Sequence, residues 1–140
     1  MDLSEYVGIP FREHGRDRRG CDCWGLIRLV YAERLGIALQ SGAGDYTGVD
    51  DDESIAALIH AGERDWTRVD AIDAQPLDVI VMRVRGQPHH FGLVAGDTLM
   101  LHTEPGADAH LARYVGVRWA ARIEGIYRHP AMRGHGEAAA

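Results

Sequence analysis

The chain has no lysine: all 15 of its Lys-plus-Arg cations are arginine. Against them stand 21 Asp and Glu residues, giving a formal net charge of −6. An acidic balance does not suit phosphate neutralisation, so a nucleic-acid partner is not expected. Long hydrophobic runs are also missing. No stretch approaches the ~20 apolar residues of a membrane-spanning helix, so membrane insertion is not expected either. The first residues, Met1-Asp2-Leu3-Ser4-Glu5, lack the basic start and apolar stretch of a secretory signal. The expectation is a protein made in the cytoplasm, which something else must carry to any substrate outside the membrane. Cysteine is scarce, with Cys21 and Cys23 alone. A disulfide across one residue would close a tiny, strained ring. The two thiols therefore read as a reactive site, a metal pair or inert side chains.

What is present fits a globular domain. The chain has 140 residues, 46% of them hydrophobic, enough for one core and little more. There is no internal repeat, P-loop, dinucleotide fingerprint or hydroxyl-nucleophile elbow. Residues 1–130 are expected to form the single domain, and 131–140, with Gly134, Gly136 and three terminal alanines, a flexible tail.

Val7 to Gly20, rich in Gly, Arg and Pro, reads as a loop. Within it, Arg16-Asp17-Arg18-Arg19 is either a solvated cluster or a contact for an anionic substrate. Asp22 is a good N-cap, and the apolar pairs Leu26/Val30 and Ile27/Tyr31 recur at helical spacing until Gly36. The pattern predicts a helix over about Cys23 to Leu35. A second, shorter helix is expected over Glu53 to His60. Five β-prone runs follow, at Trp66–Val69, Val79–Val84, Phe91–Val94, Leu99–His102 and Ile123–Tyr127, punctuated by Pro76, Gly86, Gly96 and Gly106. Helices first and strands after predict an α+β domain, with a mainly antiparallel sheet packed on the first helix.

Three segments carry candidate chemistry. The first is Asp22-Cys23-Trp24-Gly25-Leu26, where loop becomes helix. The free amides and partial positive charge of a helix N-terminus stabilise a thiolate and an oxyanion. A small buried hydrophobe at a helix start is the alternative for Cys23. Gly25, costly inside a helix, suggests close approach by another segment or by substrate. The second is Gln87-Pro88-His89-His90-Phe91-Gly92-Leu93-Val94. Imidazole is the natural proton acceptor for a thiol. His90 is preferred to His89 because Gly92, on its own face, would leave space beside the ring. The third is Leu99-Met100-Leu101-His102-Thr103. A three-residue turn Ala95-Gly96-Asp97 would set Val94 opposite Thr98 and His102 directly opposite His90, where it could orient the base. A one-residue slip would separate the imidazoles onto opposite faces.

Zinc is the rival use of Cys21, Cys23, His90 and His102, but Cys-x-Cys is not the usual spacing of structural zinc sites. The acidic run Asp50-Asp51-Asp52-Glu53 looks like a solvated N-cap rather than a metal loop. No cofactor and no metal are expected.

These segments resemble the NlpC-type cell-wall peptidases, a branch of the papain-like cysteine peptidases. The resemblance runs from about Val7 to Tyr127. It begins with Gly8-Ile9-Pro10-Phe11 and continues with Asp22-Cys23-Trp24-Gly25-Leu26, where the family commonly has Asp-Cys-Ser-Gly-Leu. Pro76-Leu77-Asp78-Val79-Ile80 resembles its Gly-Asp-led strand, and His90-Phe91-Gly92-Leu93-Val94 its His-x-Gly strand. The resemblance implies a papain-like fold with Cys23 as nucleophile, His90 as base and His102 as the orienting third residue. Asp22, Trp24 and Phe11 would form the substrate and oxyanion neighbourhood. It implies peptidoglycan stem peptide as substrate, commonly cut between D-glutamate and diaminopimelate. Trp24 in place of Ser looks like the bacteriophage-tail branch. Phe11 stands where many members have a Tyr whose hydroxyl faces the site. The missing signal peptide adds the expectation of delivery on a phage-like or gene-transfer tail tip, with hub or baseplate proteins as partners and action in the periplasm or cell wall. A structural tail protein that keeps the fold, or an amidase or acyltransferase of the same superfamily, is the alternative.

Overall fold

The computed structural model of the chain describes residues 2–39, 66–84, 87–96, 98–116 and 119–132. The expected helix over Glu53 to His60 and the acidic run before it lie outside the described residues, as does the side chain of His89.

Helix α1 spans Cys23–Leu35, as its spacing predicts. The Asp22 side chain accepts from the Gly25 amide, and Gly36 ends the helix in the left-handed conformation with φ 66. Leu26, Ile27, Val30 and Tyr31 are all buried. At roughly 1.5–3 kcal/mol for each buried apolar side chain, this face ties the helix to the sheet.

Among the described residues the sheet has six strands: β3 (Thr67–Val69), β4 (Val79–Val84), β5 (Gln87–Gly96), β6 (Leu99–Glu104), β7 (Ala107–Arg113) and β8 (Ile123–Arg128). Their order is β3-β8-β4-β5-β6-β7, and every pairing is antiparallel. The fold is thus the α+β class expected from the sequence. Alternation sorts the side chains. Val79, Val81, Phe91, Leu93 and Leu101 join the α1 face in the main core. Ile80, Met82, Val94, Met100 and Ile126 form a second apolar layer with Tyr114 and Trp119. Among the described residues no helix is long and apolar enough to cross a membrane.

Several expectations need correction. Val7 to Gly20 is not all loop: Arg16–Asp17 (β1) and Gly20–Cys21 (β2) pair as a small hairpin. Two of its arginines, Arg16 and Arg18, face partners within the chain. Arg16 bonds the Asp22 carboxylate at 2.7 Å, and Arg18 reaches Glu5 at 2.7 Å and Glu33 at 2.6 Å. Strand β7 was not anticipated; its sequence, Ala-Asp-Ala-His-Leu-Ala-Arg, has few β-branched or aromatic residues, and pairing with β6 overrides that weak propensity. Past β8, Met132 is buried in the main core against the Tyr31 hydroxyl.

The β5–β6 register is the most consequential correction. Leu93 pairs with Leu101 and Val94 with Met100, with an irregularity before Gly96 and Leu99. This is a two-residue displacement from the expected pairing of Val94 with Thr98. An even displacement leaves every side chain on its expected face. His102 is therefore diagonal to His90, not directly opposite, and still on the same side of the sheet.

Candidate active site

Cys23 is the first residue of α1 and is 6% exposed. Its position follows from Asp22, whose carboxylate is 1% exposed and anchors the turn that precedes the helix. One oxygen accepts from the Gly25 amide at 2.8 Å and from Arg16 Nη1 at 2.7 Å. The other accepts from the His14 amide at 3.0 Å. Gly25 is explained by the close approach expected of it: a β-carbon there would run into the carbonyl oxygen of Gly15, just before β1.

The sulfur receives the backbone N–H groups of Trp24 and of Phe91, the residue after His90. The nucleophile candidate is thus set against the His90–Phe91 peptide of β5. Trp24 reinforces the contact, its ring centroid 5.1 Å from that of Phe91. The expected depression of the thiol pKa is not found. Burial pushes Cys23 up to about 12, the Asp22 charge adds to the rise, and the two amides and Arg16 oppose it. Cys21 is likewise pushed up to about 12, first by burial and then by Asp22.

The two imidazoles meet directly. His90 Nε2 and His102 Nδ1 are 3.1 Å apart, and both rings are buried. Among the described residues β5 pairs with β6 only from Leu93 to Gly96, so the two strands part toward His90, and the imidazole pair bridges the opening. Gly92 does not leave room for the imidazole as expected. A β-carbon there would lie 2.9 Å from Met100 Sδ and 3.4 Å from Met82 Cε, so its bareness accommodates methionines of the second layer.

Of the expected site residues, then, His90 and His102 bond each other, and Asp22, Cys23 and Trp24 form the helix start, whose sulfur meets the β5 backbone at the Phe91 amide. Phe11 is half-buried and joins the site's periphery through a backbone bridge to Cys21. Three neighbours escaped the sequence reading. Trp119 stacks on His90 at 5.7 Å and meets His102 edge-on at 5.1 Å. A lone tryptophan between β7 and β8 gives no hint of that position. Glu104 lies two residues beyond His102 on the same strand, and strand period two could have found it. Its carboxylate oxygen and the His90 and His102 ring nitrogens all lie within 4.8 Å of one another. The cysteines do not belong to that cluster. His110, paired with His102 across β6 and β7, brings a third imidazole, 4.4 Å from His102 between ring centroids.

Solved structures with the same fold include the NlpC/p60 domain of the peptidoglycan hydrolase SagA, at 22% identity and TM-score 0.61, covering 88% of this chain and 89% of that one. An NlpC/P60 family protein from Bacillus cereus matches at 20% identity and TM-score 0.66, covering 90% of this chain and 37% of its own. The peptidoglycan hydrolase RipB from Mycobacterium tuberculosis matches at 17% identity and TM-score 0.52, covering 91% and 60%. The chain therefore spans well under half of the Bacillus cereus protein. No curated protein sequence matches it. Residues 8–128, most of the chain, match the NlpC/P60 family, and the chain belongs to that family.

Proposed function

We propose that this chain is a cysteine peptidase that cuts peptidoglycan stem peptides, with Cys23 as nucleophile, His90 as base and His102 orienting the base. One observation carries the reading: a buried imidazole pair, 3.1 Å from nitrogen to nitrogen, whose His90 member is followed on β5 by the amide that reaches the thiol at the start of α1. With His90 Nε2–H donating to His102 Nδ1, the other ring nitrogen of His90 keeps its lone pair for the thiol proton. The sulfur then attacks the carbonyl carbon, and His90 returns the proton to the departing amine. Water hydrolyses the thioester by the same base, and the thiol is restored.

The bond proposed is that between D-glutamate and diaminopimelate, and the carrier a phage-like or gene-transfer tail tip, seated on hub or baseplate proteins and acting on the cell wall. The resemblance of Asp22-Cys23-Trp24-Gly25-Leu26 to tail enzymes supports the carrier. Trp24, packed on Phe91, is the residue on which that resemblance turns.

The test sets wild type beside Cys23→Ala on purified peptidoglycan, with released peptides read by mass. Wild type releases fragments ending at D-glutamate, and the variant releases none. Equal release by both ends the assignment of Cys23, and other fragment masses replace the proposed bond. Co-purification of the chain with tail-hub protein tests the carrier, and its absence from assembled tails refutes that part.

A further inference from the structure

The ligand-bearing atoms beside the helix start are suited to more than proton transfer. His90, His102 and Glu104 bring two imidazole nitrogens and a carboxylate oxygen within 4.8 Å of one another, the imidazoles buried and the carboxylate half-buried. Two imidazoles and one carboxylate suit zinc and its first-row neighbours, whereas magnesium and calcium take oxygen ligands. The spacing agrees. Two nitrogens bound tetrahedrally to zinc stand about 3.3 Å apart, given bonds of ~2.0–2.1 Å. His90 Nε2 and His102 Nδ1 are already 3.1 Å apart. The scaffold holds them: His90 pairs with Met82 on β4, His102 with His110 on β7, and the Trp119 ring packs on both imidazoles.

We propose that His90, His102 and Glu104 bind one zinc-type divalent cation, and that the bound ion holds the peptidase inactive. The second half rests on the base role given to His90 above; the binding does not. When the ion enters, both facing nitrogens turn lone pairs toward it, and the hydrogen that bridged them must leave that line. With His102 carrying its own hydrogen on Nε2, the displaced hydrogen moves to His90 Nδ1. That atom is then an N–H donor and cannot accept the thiol proton. The same three side chains thus serve either the thiol or the metal, not both.

The experiment titrates the untagged full-length chain with zinc against a chromogenic chelator. Wild type binds one zinc per chain with a micromolar or tighter Kd, and excess magnesium does not compete. Cys23→Ala binds as wild type does, because the thiol is not a ligand. Glu104→Gln, a mild change at a half-buried position, binds at least tenfold more weakly while its circular dichroism is unchanged. His102→Ala, checked in the same way, binds weakest. A wild-type chain that takes up no zinc at millimolar concentration overturns the site. So does zinc affinity that survives Glu104→Gln or falls with Cys23→Ala. Zinc bound in the expected pattern, with peptide release unaffected at one equivalent, overturns the inhibitory half. Zinc binding in a chain that releases no peptide even after chelation leaves the metal site standing and refutes the peptidase assignment instead.

Discussion

Replacing Gly25 with alanine sets two effects of opposite sign against each other. Helix propensity favours alanine over glycine by about 1 kcal/mol inside a helix. Packing opposes it. The new β-carbon would strike the Gly15 carbonyl and lie 3.0 Å from Arg16 Nη1 and 3.1 Å from the Cys21 β-carbon. The obstacle is backbone, so the segment around Gly15 must move. That segment supplies two of the bonds to the buried Asp22 carboxylate, from the His14 amide and from Arg16. Hydrogen bonds to a charged group contribute about 1.5–3 kcal/mol each, so losing both costs roughly 3–6 kcal/mol. Packing wins, and Gly25→Ala should destabilise the domain by roughly 2–5 kcal/mol. Thermal unfolding would then fall by about 8–20 °C, at roughly 4 °C per kcal/mol for a domain of this size. The assay is a paired urea and thermal melt of wild type and variant, followed by circular dichroism. A variant as stable as wild type, or more stable, would show that propensity dominates and that the Gly15 approach does not hold the helix start.

Two other outcomes follow from the same geometry. Cys21 and Cys23 are both raised to about 12, so the fold favours their protonated forms. That stability is complete below the unfolded thiol pKa of about 9 and is lost as pH rises toward 12, at up to about 1.4 kcal/mol per pH unit for each thiol. Urea midpoints measured from pH 8 upward should fall steeply in wild type and less steeply in Cys21→Ala/Cys23→Ala; identical slopes would refute the cause. His102→Ala should lower peptide release by about 10²–10⁴-fold, and His102→Asn by less, because the amide oxygen can still accept from His90. Equal loss in both would mean that His102 serves packing rather than the orientation of His90.

The helix start was legible because its signals are local. Asp22 caps, apolar residues repeat at helical spacing, and Gly36 stops the helix, with no distant contact required. The sheet was legible in composition and approximate in pairing. Val79–Val84 was bounded correctly, while β5 and β6 run longer than their apolar stretches, since strand ends are set by partners. Register depends on the turn, and the turn has an irregularity that sequence does not announce. The imidazole pair survived because the displacement was two residues, and side-chain direction repeats every two. Leu77 shows the reverse case. It stands where the family's glycine precedes Asp, and the backbone adopts φ 77, a conformation glycine takes freely. Nothing about a leucine signals that geometry; the surrounding bonds impose it, from Leu77 N–H to the Val94 carbonyl and from the Tyr31 hydroxyl to the Leu77 carbonyl. Trp119 was illegible for a related reason: its role exists only once a chain reversal after β7 lays it over β5 and β6.

Local reasoning misjudged the charge of the thiol, and the cause bears on how the site would work. A helix N-terminus favours a thiolate, and the Trp24 and Phe91 amides are in place for one. Those terms are outweighed because desolvation acts on the charged form alone and Asp22 adds a negative charge next door. Lifting a thiol from about 9 to about 12 amounts to something on the order of 4 kcal/mol against the thiolate. A resting thiolate–imidazolium pair is therefore disfavoured in the closed site. Under the proposed mechanism, charge separates only as the sulfur attacks, when the new negative charge passes on to the substrate carbonyl oxygen. The positive charge left on His90 is then shared across its bond to His102, toward the Glu104 carboxylate. An imidazole pair backed by a carboxylate is what a buried, protonated nucleophile requires, because the base must hold a full positive charge in a largely desolvated site.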